Sequence, residues 1–335
     1  MAIKAERRIQ LGIETVKGTE VGATVIYRGT GVPKDDRVIT RPDEDIGLSA
    51  PTDRSYTSQL ASSFQFEDAP MTFQQAPYIF ACGIENIVTG VADAGVAASG
   101  LIYQYDFPTT TARIIKSATL EGGDNQQEEQ SLYNFVKSFN ISGNPGEALM
   151  IGANWMGRTL APGTFTAALA IPTVEEILFN KGSVYIDASS GTVGTTNKSN
   201  TLVGMNFQCD TGWDAVQTAD GENYFSFEKF TRENMNLSLD LTFEHDGTSV
   251  AEKAAWRAET VRLLQLKFLG SALTTAGSAY TYFTFIMNFA GKWGSFDALT
   301  DNNGNDIVKG TFLPGYNSTD ALFAQLIVVN QTAAL

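Results

Sequence analysis

The clearest pattern in the chain is a strict alternation of apolar and polar residues from position 234 to position 244. The apolar set is Met235, Leu237, Leu239, Leu241 and Phe243, and the polar set is Asn236, Ser238, Asp240, Thr242 and Glu244. Because successive side chains of a strand point to opposite faces, this pattern predicts a strand with one buried and one solvated face. Any half-exposed antiparallel sheet gives the same alternation, so the pattern alone leaves the role of the polar face open.

A helix is predicted directly after this strand. Ser249 and Glu252 have the spacing of a capping box, and Gly270 is the expected C-terminal stop. The apolar stripe of this helix comprises Val250, Ala254, Ala258, Val261, Leu264 and Phe268. An earlier helix is predicted to begin with Asp68 as its N-cap and Pro70 in its first turn. Pro77 interrupts the apolar stripe of that helix, which is therefore expected to be short or kinked.

The order of elements repeats between the two halves of the chain. Each predicted helix is followed by an aromatic strand, and each half closes with an apolar strand; these strands occupy residues 101–107, 148–155, 280–289 and 321–330. We interpret the repeat as an ancient duplication. At roughly 150 residues per domain, the length also favours two domains. We place them at residues 1–160 and 173–335, joined by a linker with two prolines at residues 159–172.

Three segments have too little apolar periodicity to predict packed elements. Residues 187–200 are rich in Gly, Ser and Thr, and residues 121–130 are acidic, so both are expected to be surface excursions. The first 50 or so residues are expected to form an arm with short strands. The predicted fold class is mainly β (α+β), with two tandem antiparallel β-sandwich or barrel-wall domains that each have one flanking helix.

Composition narrows the functional classes. The formal net charge of −14 argues against tight binding of nucleic acid, because such binders neutralise phosphates with Lys and Arg. No apolar run approaches the roughly 18 residues of a membrane span, and no apolar segment follows the charged N-terminal residues as it does in a signal peptide. Cys82 and Cys209 lie in apolar surroundings, which predicts free, buried thiols in a reducing compartment.

Patterns typical of catalytic or metal sites are weak in this sequence. His245 is the only histidine and is expected in a solvated turn. Residues 301–306 lack the glycine placement and the distal Glu of a calcium loop, so a polar turn is favoured. The acid pairs Glu128–Glu129 and Glu175–Glu176 could serve as paired carboxylates, but adjacent strand residues point apart. We therefore expect no enzyme, with no catalytic residues, no metal site and no cofactor.

Two segments resemble tail tube (major tail) proteins of long-tailed bacteriophages. The first is residues 9–24, with a Gly-x-Glu-x-x-x-Gly-Thr pattern formed by Gly12, Glu14, Gly18 and Thr19. The second is residues 137–158, a predicted hairpin that turns at residues 143–146 and ends in Gly157-Arg158. Its expected buried face comprises Phe139, Ile141, Leu149, Ile151, Ala153 and Trp155.

The resemblance implies a structural subunit of a phage tail tube. Subunits of this family are β-sandwich domains with a flanking helix, and their rings stack into a tube that conducts the genome. Two fused domains imply trimeric rings with pseudo-sixfold symmetry. The implied partners are further copies of the chain, the tape measure protein and the tail-tip or terminator proteins, with DNA only in transit. The implied location is the virion tail, after assembly in the bacterial cytoplasm.

On this interpretation the polar side of the 234–244 strand faces the lumen, where acidic side chains would repel passing DNA. The candidate lumen-facing residues are Asn236, Ser238, Asp240, Thr242 and Glu244. The 187–200 excursion is expected to become ordered only between stacked rings, and its candidate inter-ring contacts are Ser189, Thr192, Thr195 and Lys198.

Two other interpretations stay open at the level of sequence. One is a carbohydrate- or receptor-binding β-sandwich module of a virion or cell surface, with Trp213, Tyr224 and Trp293 as exposed stacking platforms. The other is a hydrolase that uses one of the acid pairs. Rings or tubes in electron micrographs would distinguish the tube subunit from both.

Overall fold

Antiparallel strands make up most of this protein, as the sequence predicts. The computed structural model describes residues 3–93 and 100–335, within which there are 21 strands. The first twelve, β1–β12 in chain order, are Arg8–Ile13, Val25–Ile26, Gly31–Asp35, Val38–Thr40, Tyr56–Gln59, Ser62–Pro70, Val91–Ala92, Leu101–Asp106, Ala118–Gly123, Glu128–Gly143, Met150–Gly157 and Thr159–Pro162. The others, β13–β21, are Gly182–Ala188, Asn197–Lys198, Leu202–Val216, Phe227–Glu244, Arg262–Ala272, Tyr282–Phe296, Thr300–Asn302, Asn305–Pro314 and Ala324–Asn330.

The described residues also contain two α-helices and two three-residue 3₁₀ turns. The helices are Ala76–Gly83 (α1) and Gly247–Arg257 (α2), and the turns are Lys4–Glu6 and Phe179–Lys181. Neither helix is long and apolar enough to cross a bilayer.

Two long strands, β10 and β18, organise the sheets. The first part of β10 pairs with β9 and β12, whereas its second part pairs with β11 and β15. The large sheet runs in the order β3, β6, β11, β10, β15, β16, β20. The C-terminal part of β18 pairs with β20 and so extends this sheet. The N-terminal part of β18 lies between β17 and β21. The predicted mainly β, antiparallel class is therefore confirmed.

The alternation that predicts a half-buried strand is confirmed in β16. Leu237, Leu239, Leu241 and Phe243 are buried, and Met235 is half-buried at the margin of the core. The alternating polar residues are exposed or half-buried. The strand begins at Phe227, seven residues before the predicted start, because its first part pairs with β15 in a hairpin that extends past the core.

Helix α1 begins later than predicted and is not a flanking helix. Strand β6 continues through Pro70, and Pro77 lies in the first turn of the helix, where its missing N–H does no harm. All eight residues of α1 are buried. A helix that is apolar on every side is suited to a core rather than to a surface.

The start and the end of α2 also differ from the prediction. Asp246, not Ser249, is the N-cap: its carboxylate accepts hydrogen bonds from the N–H groups of Thr248 and Ser249. Glu252 instead accepts from Arg262 and Trp293. The helix ends at Arg257, because residues 262–272 form β17. Leu264 and Phe268 are four residues apart, a spacing that fits both one face of a helix and one face of a strand. The predicted helix therefore extends too far, to Gly270.

Residues before and after the predicted linker share one apolar core. Phe80 of α1 contacts Phe139 of β10 and Phe285 of β18, at ring-centroid distances of 5.5 and 6.3 Å. Phe207 of β15 in turn contacts Phe289, at 5.2 Å. Strand pairing also joins the two halves, through β10 with β15 and β8 with β21. The division into domains at residues 1–160 and 173–335 stays a prediction, and any such domains are joined by continuous sheets.

The N-terminal arm is shorter than predicted. Strand β1 lies between β2 and β9, with Ile9 and Leu11 in the core, so the prediction of an unpacked arm is wrong for this segment. The projecting part is residues 37–60, here called the arm, in which β4 and β5 pair only with each other among the described strands. The predicted acidic excursion at residues 121–130 is a short turn between β9 and β10, and Glu121 is buried.

Candidate functional site

The most extensive candidate site is a polar face on the outer side of the large sheet. It crosses six strands, β6, β11, β10, β15, β16 and β20, and its side chains lie in rows across the strands. One row joins Gln65, Asn154, Ser138, Asp210 and Asn236. A second joins Asn140, Gln208 and Ser238, and a third joins Ser142, Asn206, Asp240 and Thr311. Six strands at about 4.8 Å spacing make this face roughly 24 Å wide.

The side chains of the polar face are mostly amides and hydroxyls, and several bind each other. Asn154 donates to Ser138 Oγ at 3.0 Å, and Asn140 donates to Asp68 Oδ1 at 3.0 Å. Directly beneath this layer the same strands bury Phe139, Ile141, Phe207 and Leu239. The face is therefore a largely hydrophilic surface on an apolar support.

The polar face is less acidic than the sequence predicts. Asp240 is not a free carboxylate: it pairs with Lys309 Nζ at 2.8 Å and accepts from Thr311 Oγ1 at 2.6 Å. Of the five candidate lumen residues, only Glu244 adds a carboxylate without an ion pair among the described residues, and Asp210 adds another from β15. The correction follows from cross-strand pairing, which places Lys309 of β20 opposite Thr242, beside Asp240.

The predicted hairpin at residues 137–158 is confirmed as β10 and β11. Ser142 pairs with Met150 next to the turn, and the six residues of the expected buried face are buried. At its end the Arg158 guanidinium lies over the rings of Tyr133 and Tyr224, at 4.3 and 4.8 Å from their centroids. Arg158 also donates to the carbonyl oxygens of Phe225 and Ser226 at 2.9 and 2.7 Å. It thereby fixes the loop that connects β15 to β16.

The other family-like segment lies beside Arg158 and the start of β16. Glu14 is buried, and its carboxylate accepts from Gly18 N at 2.6 Å, Ser117 Oγ at 2.5 Å, Thr119 Oγ1 at 3.2 Å and Tyr133 N at 2.8 Å. Lys17 forms an ion pair with Glu228 of β16, and the Tyr133 hydroxyl donates to the same carboxylate at 2.6 Å. Desolvation and the Glu228 carboxylate raise the pKa of Tyr133, so its hydroxyl stays a donor.

Two glycines of this segment have specific backbone roles. A Cβ on Gly12 would lie 2.5 Å from the carbonyl oxygen of Gly22. Gly18 has a φ of +77°, and a Cβ there would lie 2.6 Å from Arg158 Nη1. The two glycines therefore allow the chain to turn around Glu14, and the turn places Gly18 beside Arg158. The sequence identifies the residues of this cluster, but hydrophobic periodicity does not reveal the buried carboxylate.

The 187–200 loop is ordered within the subunit, so the expectation that it orders only between rings is wrong. The Asp187 carboxylate accepts from the backbone N–H groups of residues 194, 195 and 196 at 2.8–3.0 Å. These hydrogen bonds and the Thr196 hydroxyl hold the pKa of Asp187 below its usual value, against the effect of burial. Of the candidate inter-ring residues, Ser189 donates to Asp320, Thr195 donates to the Thr192 carbonyl, and Lys198 lies in β14.

The aromatic residues of the carbohydrate-binding interpretation are not exposed platforms. Trp213 and Trp293 are buried, and Trp293 donates to Glu252. Tyr224 is half-buried against Arg158. This part of the interpretation is wrong, because each ring belongs to a local cluster: Trp213 packs on Phe230, and Trp293 packs on Phe243 and Phe312.

The titratable groups considered for chemistry lie apart. His245 is exposed at a bend before α2, and residues 301–306 form the β19–β20 hairpin, as predicted for both. Glu175 accepts from Ser271, Glu128 accepts from Phe165 N, and Glu176 is exposed. Cys82 and Cys209 are buried free thiols, as predicted, and burial raises the pKa of both. Among the described residues no group of three His, Cys, Asp or Glu could hold a metal ion.

The arm carries apolar side chains that have no core to pack against. The exposed members are Val38, Ile39, Ile46, Leu48 and Tyr56. An isolated two-stranded hairpin is marginally stable in water, and an exposed apolar set on it marks an interaction site. The arm joins the body through hydrogen bonds from Asp36 N to Ala61 O and from Leu60 N to Asn223 O, at 2.9 and 2.7 Å.

A scan against protein-family models gives no match, and a search of curated proteins gives none either.

Proposed function

We propose that this chain is a structural subunit of a bacteriophage tail tube, whose rings enclose a lumen lined by the polar face. The observation that supports the proposal best is the set of three polar rows on one side of a six-stranded antiparallel sheet, with core residues on the other side of the same strands. Alternation of this kind is typical of the wall of a hollow barrel with a polar lumen. The rest of the proposal rests on the resemblance of residues 9–24 and 137–158.

A trimeric ring accounts for the width of the polar face. Three copies of the seven-stranded sheet that begins with β3 supply about twenty-one strands, and barrels of 16 or more strands are wide enough to enclose a lumen. Strand β3 borders the sheet and pairs only with β6 among the described strands, so its other edge is free to pair with a neighbour. Ring closure would remove this edge, which is otherwise an aggregation risk.

A mostly neutral polar lining suits the transit of DNA. Amides and hydroxyls keep the surface hydrated, and the few free carboxylates repel phosphate at short range. Lys309 is bound to Asp240 of the third row and so attracts the phosphates of DNA only weakly. A lumen with unpaired Lys or Arg would add binding steps that retard a sliding duplex.

Electron microscopy of the concentrated protein tests the proposal directly. Rings or tubes with three chains per ring are the expected result, and mass measurement of a single ring gives the number of chains. Dispersed particles under every condition, including in the presence of a tail-tip complex, would contradict the proposal. Rings of six chains would retain the tube and exclude the trimer.

Charge reversal on the polar face is expected to slow genome ejection. We predict that phages whose tube carries Asp210→Lys and Glu244→Lys form intact tails but eject DNA at least about tenfold more slowly at low salt, because every ring then adds phosphate-binding cations. The delay should shrink as salt rises, since screening at physiological ionic strength confines the effect to about 8 Å. Ejection is measured by release of fluorescent DNA from single particles.

The matched control for this reversal is Glu176→Lys with Glu259→Lys, which makes the same charge change at exposed positions away from the polar face. Asp240 is left unchanged, because its reversal would also break the bonds to Lys309 and Thr311. Equal ejection rates for the two variants at low salt would mean that the polar face does not line the lumen.

Removal of the arm is expected to separate ring formation from stacking. Replacing residues 38–59 by a short Gly–Ser linker should leave the free energy of unfolding within about 1 kcal/mol of the wild type, because the arm contributes no side chain to the core. Rings should still form, while tubes should not.

Deleting residues 189–198 is the comparison: it removes the N–H donors of Asp187 and should destabilise the subunit itself. Tubes of normal length without the arm would contradict this prediction.

A further inference from the structure

A basic pocket lies beside β1 and the start of β3. It has a volume of about 340 Å³, and Lys4, Arg7 and Arg8 line one side of it. Lys4 and Arg7 are exposed and make no ion pair with any residue in 3–93 or 100–335. Arg8 lies over the ring of Phe165, at 5.2 Å from its centroid. Three neighbouring cations are unusual in a chain with a formal net charge of −14.

The remaining walls of the pocket combine apolar side chains with Thr30 and one acidic residue. Ile26 is half-buried and Val32 is about half exposed, so both offer apolar surface to a ligand. Glu67 also lines the pocket, and it accepts from Thr30 Oγ1 at 3.1 Å. A segment that combines carboxylates with aliphatic side chains would therefore complement the pocket.

The tip of the arm has this combination. Asp43 and Asp45 are exposed and make no ion pair within the described residues. Ile46 and Leu48 follow them, with 55% and 66% of their surface exposed. Glu44, by contrast, is already bound by Arg54 and Thr52. The unpaired acids and the exposed aliphatic side chains thus lie within six residues of each other.

The arm and the pocket lie at opposite ends of the β3–β6 pair. The arm leaves the body after Asp35, whereas the pocket is lined by residues 29–32 at the start of β3. No residue of the arm lines the pocket. Because β3 advances about 3.3 Å per residue, the two features are separated by roughly 13 Å along the strand. Complementary features at opposite ends make a head-to-tail contact between copies, and such contacts propagate when they do not close.

We propose that the basic pocket receives residues 43–48 of a second copy of the chain, with Asp43 and Asp45 beside Lys4 and Arg7 and with Ile46 against Val32. The contact stacks one ring on the next, and in this respect the inference rests on the proposed tube function. The acidic arm and the basic pocket also set the polarity of the stack, because each ring offers arms at one end and pockets at the other.

Charge reversal tests the contact. Lys4→Glu with Arg7→Glu, and separately Asp43→Lys with Asp45→Lys, should each reduce the number of tubes in micrographs at least about tenfold while single rings persist. Combining all four changes should restore tubes, because the charges are again complementary. The control is Lys253→Glu with Arg257→Glu, which makes the same change of formal charge on α2 and should leave tubes unchanged. Normal tubes from either double variant, or no restoration in the quadruple variant, would overturn the inference.

A cross-linking experiment measures the contact without requiring rings. Val32→Cys protein is mixed with Ile46→Cys protein and treated with diamide, which is reduced as the two thiols are oxidised to a disulfide. A disulfide-linked dimer that needs both variants is expected, and adding Asp43→Lys and Asp45→Lys to the second protein should suppress it. Cys82 and Cys209 are buried, so cross-linking through these native thiols is the background of the measurement.

The two experiments separate the contact from the proposed function. Cross-linked dimers from a protein that never forms rings would support the contact and count against the tube. Tubes without the cross-link, and with a normal Lys4→Glu/Arg7→Glu variant, would support the tube and refute the contact.

Discussion

Glu14→Ala is expected to lower the free energy of unfolding by about 4 kcal/mol, because it removes the acceptor of four donors in a buried site. Two of these donors are the backbone N–H groups of Gly18 and Tyr133, and two are the hydroxyls of Ser117 and Thr119. Water cannot replace the carboxylate without opening the turn between residues 14 and 18. Urea unfolding followed by tryptophan fluorescence measures the loss.

Glu20→Ala is the control for Glu14→Ala. Glu20 belongs to the same segment but is exposed, and among the described residues its carboxylate accepts one hydrogen bond, from the half-buried Gln130. Its removal should change stability by less than about 0.5 kcal/mol. Glu14→Gln should fall between the two, because the amide keeps one acceptor oxygen and places an NH₂ group among donors. A loss below about 1 kcal/mol for Glu14→Ala would mean that the carboxylate does not hold this turn together.

Short-range patterns in the sequence predict the parts of the fold that local geometry determines. The alternation at residues 234–244 identifies a strand of the polar face, because period two is a property of the strand itself. The hairpin at residues 137–158 is equally predictable, since its turn and its two buried faces lie within one short segment. The sequence does not single out the Asp246 cap, although it precedes the helix directly, because Ser249 and Glu252 offer a competing capping box.

Long-range pairing accounts for most of what the sequence does not predict. Nothing in β10 alone indicates that its second part pairs with β15 across the proposed linker. The same limit hides the neutralisation of Asp240, because Lys309 is 69 residues away and becomes a neighbour only through the β16–β20 register. The acidity of the polar face was overestimated for this reason.

Buried polar groups are the other source of error. Residues 8–13 alternate at Ile9, Leu11 and Ile13, but the polar residues that follow made the segment look like an arm. Glu14 and Glu121 are both buried, held by local turns and by the linker: Glu121 accepts from Thr166 at 2.7 Å through both the backbone N–H and the hydroxyl. A hydrophobicity pattern counts such residues as exposed and so underestimates how much of the N-terminal region is packed.

Phe80→Ala is expected to lower the free energy of unfolding by about 4 kcal/mol, the typical cost of removing a fully buried Phe. Phe80 lies in helix α1 and contacts Tyr105, Phe139 and Phe285, at centroid distances of 5.6, 5.5 and 6.3 Å. Its removal leaves a cavity between sheets that come from both halves of the chain. Phe227→Ala is the matched control, because Phe227 is about half exposed and should contribute little.

The cooperativity of unfolding in Phe80→Ala is as informative as the loss in the free energy of unfolding. Because Phe80 joins β10 of the first half to β18 of the second, we expect both halves to lose stability together, in one cooperative transition. Hydrogen exchange followed by mass spectrometry compares them directly: peptides from 101–106 and 150–157 should lose protection to the same extent as peptides from 262–272 and 324–330. Loss confined to the first half would mean that residues 1–160 and 173–335 unfold as separate domains despite their shared sheets. Equal loss would mean that residues 1–160 and 173–335 form one folding unit.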